Sequence, residues 1–101
     1  MTDPSFRIKS PEDGSILPYG NVNITWTAAP GAVDYKVIVT DLENYSNHTN
    51  GYEIDLPGGA SRLLLTANQL ISGHQYNVII YEDTTDSITL KTNPIRFKRA
   101  D

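Results

Sequence analysis

The sequence contains no cysteine, one methionine and one tryptophan in 101 residues, and only 8 lysines and arginines against 12 aspartates and glutamates. Without cysteine there is no disulfide, thiolate metal site or cysteine nucleophile, and the redox compartment stays open on this ground. The net charge of −4 opposes phosphate binding, so neither nucleic acid nor an anionic membrane is an expected partner. No apolar run approaches the ~20 residues that span a bilayer, and "MTDPSFRIKS" lacks the basic-then-apolar order of a signal peptide. A soluble chain without membrane insertion is expected. Helical periodicity is missing as well: "TANQLISG" is long enough for a single turn.

What the chain does have is alternation. Apolar and polar residues exchange places in short segments bounded by Gly, Pro, Asn or Asp, a rhythm that predicts an all-β sandwich. Seven strands are predicted: Phe6 to Ser10, Val22 to Thr27, Tyr35 to Asp41, Tyr52 to Leu56, Arg62 to Thr66, Gln75 to Glu82 and Ile95 to Lys98. The segment from Glu82 to Pro94 has room for an extra strand around Ile88 to Lys91. The length fits a single domain over residues 1–101, able to bury roughly 60 to 65% of its unfolded surface. Both ends lie close to strands, which predicts a module excised from a longer protein.

A period of two assigns the faces. Val22, Ile24 and Trp26 point inward from the second strand, Tyr35, Val37 and Val39 from the third, Leu63 and Leu65 from the fifth. Tyr76, Val78 and Ile80 follow from the sixth, Ile95 and Phe97 from the last. Trp26 is therefore expected to fill the core rather than offer its ring to a ligand.

In "LISGHQYNVII", Leu70, Gly73 and Tyr76 hold the spacing of a tyrosine corner, a tight overpass whose Tyr hydroxyl satisfies a backbone group otherwise buried unpaired. With "VNITW", the Pro30-Gly31 turn and "YKVIV" in the same order, nearly the whole chain resembles a fibronectin type III module. "SPEDGSIL" is similar to the opening of such modules in large secreted bacterial proteins, including carbohydrate-active enzymes. The resemblance implies a seven-stranded antiparallel immunoglobulin-like sandwich. An antibody-type domain is disfavoured, because Val78 stands two residues after the corner Tyr where that family has cysteine, and Trp26 lies in the second strand, not the third. The long Glu82 to Pro94 stretch departs from a standard module, and the absence of "RGD" speaks against integrin binding.

Catalytic constellations are missing. His48 and His74 have no H-E-x-x-H spacing and read as surface residues. Ser15, Ser61 and Ser72 lack a G-x-S-x-G setting and read as turn residues. "LPGGAS" is no phosphate loop and reads as a turn whose glycines allow positive φ. No catalytic, cofactor-binding or metal residue is assigned. Asp41, Glu43, Asp83 and Asp86 offer oxygen ligands in loops without the order specific for calcium. Asn23, Asn44 and Asn47 each open an N-x-Ser/Thr triplet, meaningful only in a eukaryotic secretory pathway.

Two surfaces stand out. Ile38, Ile79 and Tyr81 would form an apolar stripe on an outward sheet face if their strands pair; either the Glu82 to Pro94 segment covers it, with Ile88 and Leu90, or it docks a neighbouring module. Tyr19, Tyr45 and Tyr52 lie in or beside loops, where aromatic rings can stack on sugars. The expected function is that of a non-catalytic, monomeric spacer in a secreted or cell-surface protein, with neighbouring domains of the same chain as partners. A carbohydrate-binding module using the loop tyrosines on a polysaccharide is the alternative.

Overall fold

The computed structural model describes residues 6–27, 31–43, 51–85 and 87–100. The strands are β1 (Arg7–Ser10), β2 (Ser15–Leu17), β3 (Val22–Thr27), β4 (Ala32–Asp41), β5 (Gly51–Pro57), β6 (Arg62–Leu65), β7 (Gln75–Thr84), β8 (Thr89–Lys91) and β9 (Ile95–Arg99), with one 3-10 turn at Ala67–Gln69. A small sheet runs β1-β3-β6 and a large one β2-β9-β7-β4-β5, with β8 beside β7.

Alternation placed the faces correctly. Val22, Ile24, Trp26 and Leu65 from the small sheet meet Tyr35, Val37, Val39, Tyr76, Val78, Ile80, Ile95 and Phe97 from the large one in a single buried core, with Leu63 partly buried against it. Trp26 is 2% exposed and sets its edge on Tyr35 at 5.5 Å between ring centroids, a geometry the ring quadrupoles favour. Tyr76 stacks on Phe97 at 5.5 Å.

All seven predicted strands are present, and the sandwich has two strand segments more. β2 escaped the sequence reading because three residues are too few to show alternation, and its central Ile16 points to solvent, 68% exposed. It is held by parallel pairing with β9, Ile16 opposite Lys98. The extra strand expected near Ile88 is β8. It and β9 share the edge of β7 left free by β4, pairing with Tyr81–Asp83 and Gln75–Val78 respectively. The buried Thr92 bridges them: its N–H donates to Ile80 O at 2.9 Å and its hydroxyl oxygen accepts from Ile80 N–H at 3.1 Å. β8 and β9 thus act as two halves of one bent strand.

The turn after β5 corrects another expectation. Positive φ occurs at Gly14, Gly20, Gly31 and Gly73, not in "LPGGAS". Gly58 is needed for a different reason: a Cβ there would stand 2.5 Å from Ala32 O, so the turn and the start of β4 can approach only without a side chain.

The chain path separates the two ends of the fold. β1 begins with Arg7 opposite Thr27, the last residue of β3. β9 finishes with the Arg99 side chain bonded to Ala67, whose N–H donates to Asn21, just before β3 begins. The strands therefore enter at one end of the sandwich and leave at the other.

Candidate functional site

At the exit end, the 3-10 turn leads into the corner. Ile71 N–H donates to the Tyr76 hydroxyl oxygen at 2.6 Å, the overpass predicted from Leu70, Gly73 and Tyr76, and burial pushes the Tyr76 hydroxyl pKa up. Beside it Tyr52, whose ring packs against the core, donates its hydroxyl to Gln69 O at 2.7 Å. Tyr52 is thus tied down and presents no free ring. Tyr19 is 70% exposed and lies over the Arg99 guanidinium at 4.2 Å. Tyr45 lies outside the described residues, as do Asn44, Asn47 and His48.

Arg99 lies one residue beyond the last predicted strand, Ile95 to Lys98, and β9 extends to include it. Its position follows from parity: in "IRFKR" it shares the inward set with Ile95 and Phe97. It is fully buried, and its Nη1 donates to Ala67 O and Leu70 O at 2.6 and 2.9 Å. Ala67 O, which also accepts from Leu70 N–H at 3.5 Å, and Leu70 O at the end of the 3-10 turn are thereby held by one buried guanidinium.

His74 is not the surface histidine expected. Its Nδ1 lies 2.8 Å from Oδ2 of the buried Asp41, whose Oδ1 accepts from Glu43 N–H at 2.9 Å. Asp41 is therefore engaged in fixing the end of β4. Asp83 accepts from the Thr89 hydroxyl at 2.8 Å and faces Asp34 near the other end of β4. Seven residues of strand, roughly 23 Å at ~3.3 Å per residue, part Asp41 from Asp34, so Asp41 and Asp83 cannot share a cation. Asp86 lies outside the described residues, among which no group of three or more His, Asp or Glu is placed to hold a metal. Ser61 and Ser72 are exposed, in the turns expected of them, while Ser15 starts β2.

Inside the sandwich, Tyr35 lies against the buried Glu82. Burial first, and the Glu82 carboxyl second, push the Tyr35 pKa up to about 12.

The stripe on the large sheet forms. Ile38 is opposite Ile79, and Tyr81 opposite Lys36. Lys36, Ile38, Glu53, Tyr81, Asp83 and Thr89 line an open groove of about 380 Å³. The expected cover fails, because β8 extends the sheet sideways: Leu90 turns into the core while Ile88 is exposed beyond the strand end.

No family model and no curated protein matches this sequence. Solved structures do. The chain is similar to fibronectin(III)-like modules of CbhA from Clostridium thermocellum, with 14% identity over 94% of both chains and a TM-score of 0.66. It is also similar to the fn3 domain of the human collagen alpha-1(XX) chain, with 17% identity over 98% of this chain and 84% of that one and a TM-score of 0.66. A Fn3-like protein from Clostridium thermocellum aligns at 15% identity over 88% of both chains, with a TM-score of 0.58. The fold is that of a fibronectin type III-like module.

Proposed function

We infer that the chain is a non-catalytic spacer and interaction module of a larger secreted or cell-surface protein. The observation that carries this reading is the opposition of the two ends: β1 starts beside the last residue of β3, and β9 finishes beside its first. A sandwich threaded end to end sets a fixed distance between whatever precedes and follows it. The exit is stiff. Gly73 N–H donates to Arg99 O at 2.8 Å, Arg99 N–H to His74 O at 3.0 Å and Ala100 N–H to Leu17 O at 2.8 Å, so backbone order persists past the last strand. The fibronectin type III-like neighbours, with one from CbhA, support a module role.

Carbohydrate binding is the second reading, and Tyr19 favours it as an exposed ring backed by a buried cation. The test is affinity electrophoresis through soluble glucans, xylans and mannans with insoluble cellulose and chitin pull-downs, on wild type, Tyr19→Ala and Tyr45→Ala. Unretarded migration throughout fits the spacer. Retardation that either substitution abolishes would replace it with a glycan-binding module.

A further inference from the structure

Arg99 is a cation whose charge is unanswered. Its side chain is fully buried, yet the ion pairs among the described residues, Lys36 with Glu53 and His74 with Asp41, do not include it. A buried guanidinium normally has a carboxylate beside it, because an uncompensated charge in the interior is strongly destabilising. The three segments that pass through this end of the sandwich, residues 14–33, 56–81 and 87–100, hold no aspartate or glutamate, although the chain has 12. Asp41, at the end of β4, is engaged by His74 and by Glu43 N–H.

The donors left over have a definite shape. Nη1 gives its hydrogens to Ala67 O and Leu70 O. Nε and Nη2, whose N–H bonds run parallel along one edge of the planar group, have no hydrogen-bond partner among the described residues. That edge matches the two oxygens of a carboxylate. Tyr19 attracts the charge through its ring, 4.2 Å away, without supplying an oxygen to either nitrogen. Being exposed, it is a cover that a change of rotamer moves aside. Tyr19 and Leu17, the register partner of Arg99, also line a groove of about 230 Å³ with Pro11, Pro18, Asn21 and Asn23, room for one sugar ring. Asn21 uses its side-chain oxygen on Ala67 N–H at 2.9 Å, which fixes the amide and leaves its N–H donors for hydroxyls.

We propose that this end of the sandwich holds a uronic acid residue of an anionic glycan. Its carboxylate pairs with the Nε and Nη2 edge of Arg99 once Tyr19 turns aside, its ring enters the groove against Tyr19, and its hydroxyls meet Asn21 and Asn23. The inference rests on the glycan-binding reading and names its ligand class. A sugar is favoured over an acidic side chain of a protein because the groove offers an aromatic face and amides beside the fork, which an Asp or Glu side chain leaves unused. The acid is selected over the neutral sugar of the same ring, since the neutral sugar leaves the buried charge unpaired. The net charge of −4 does not oppose this: distant carboxylates are screened over a Debye length of ~8 Å, whereas the pair is made in contact.

The test is proton–nitrogen NMR of the intact chain, following the Arg99 Nε–H resonance, which Arg99→Lys identifies by removing it. The chain is titrated with galacturonate and glucuronate, and separately with galactose, glucose and acetate. At least one uronate should move the resonance saturably, while its neutral sugar and acetate, each with half of the recognition, should bind about tenfold more weakly or worse. Tyr19→Ala should weaken the uronate about tenfold. Arg99→Lys keeps the charge without the planar fork and should bind the uronate no better than the neutral sugar. Trp26 fluorescence verifies that each variant is folded, and the wild-type titration decides the matter where one is not. Neutral sugars binding as tightly as the uronates would overturn the proposal and leave the glycan reading intact, whereas no response to any sugar would overturn both. Acetate matching the uronates, a uronate bound with the Arg99 resonance unmoved, or either variant binding like wild type would also overturn the proposal.

Discussion

Trp26, Tyr35 and Arg99 show how differently single residues disclose themselves. The Trp26 ring, edge-on to Tyr35, is buried in the core, so Trp26→Ala should cost about 3–5 kcal/mol in urea unfolding. Tyr35 has a pKa of about 12 in the fold against an ordinary 10.0. Its neutral form is favoured there, so its contribution is complete below pH 10 and lost as pH rises through 12. Alkaline unfolding monitored by circular dichroism should therefore be shallower in Tyr35→Phe than in wild type. Trp26 and Tyr35 were legible as inward residues because they obey a period of two. Arg99 obeys it too, but a charge at an inward position is discounted by any pattern built on hydrophobicity. Arg99→Met fills similar space while removing the donor to Leu70 O and leaving Ala67 O with the Leu70 N–H alone; a loss of about 1–3 kcal/mol is expected from denaturant titration.

At the scale of elements, the strands read from sequence are those long enough to alternate, and the misses have local causes. β2 has three residues and depends on its neighbour; the division of the last strand depends on Thr92, a buried hydroxyl whose function only its partner Ile80 reveals. Thr92→Val preserves the shape and removes the acceptor from Ile80 N–H, which should destabilise by about 1–3 kcal/mol and speed hydrogen exchange at that amide. The corner was legible because its geometry demands a fixed Leu, Gly and Tyr spacing. The candidate site was less so: strand parity found Ile38, Ile79 and Tyr81, but the tethering of Tyr52 to Gln69 and the pairing of His74 with Asp41 join segments distant in sequence, which no local pattern encodes.

For the molecule as a whole, a carboxylate pair on the large sheet, Asp34 opposite Asp83, contributes to how stability responds to pH. The folded-state pKa of Asp34 is raised above 3.8, so this carboxyl favours the fold below that value and the benefit disappears as pH rises through the raised pKa. Asp83, held low chiefly by the Thr89 hydroxyl, stays ionised beside it at neutral pH. Asp34→Asn should accordingly raise Tm at pH 7 and change it little at pH 3, a comparison that scanning calorimetry makes directly. The path of the chain has a mechanical consequence. Since β2 runs parallel to β9 and the fold is threaded from end to end, a pull on both sides drags these strands lengthwise past each other. Their bonds then bear load together instead of opening in turn, and tension meets its lock at the three-residue strand that is among the shortest in the fold.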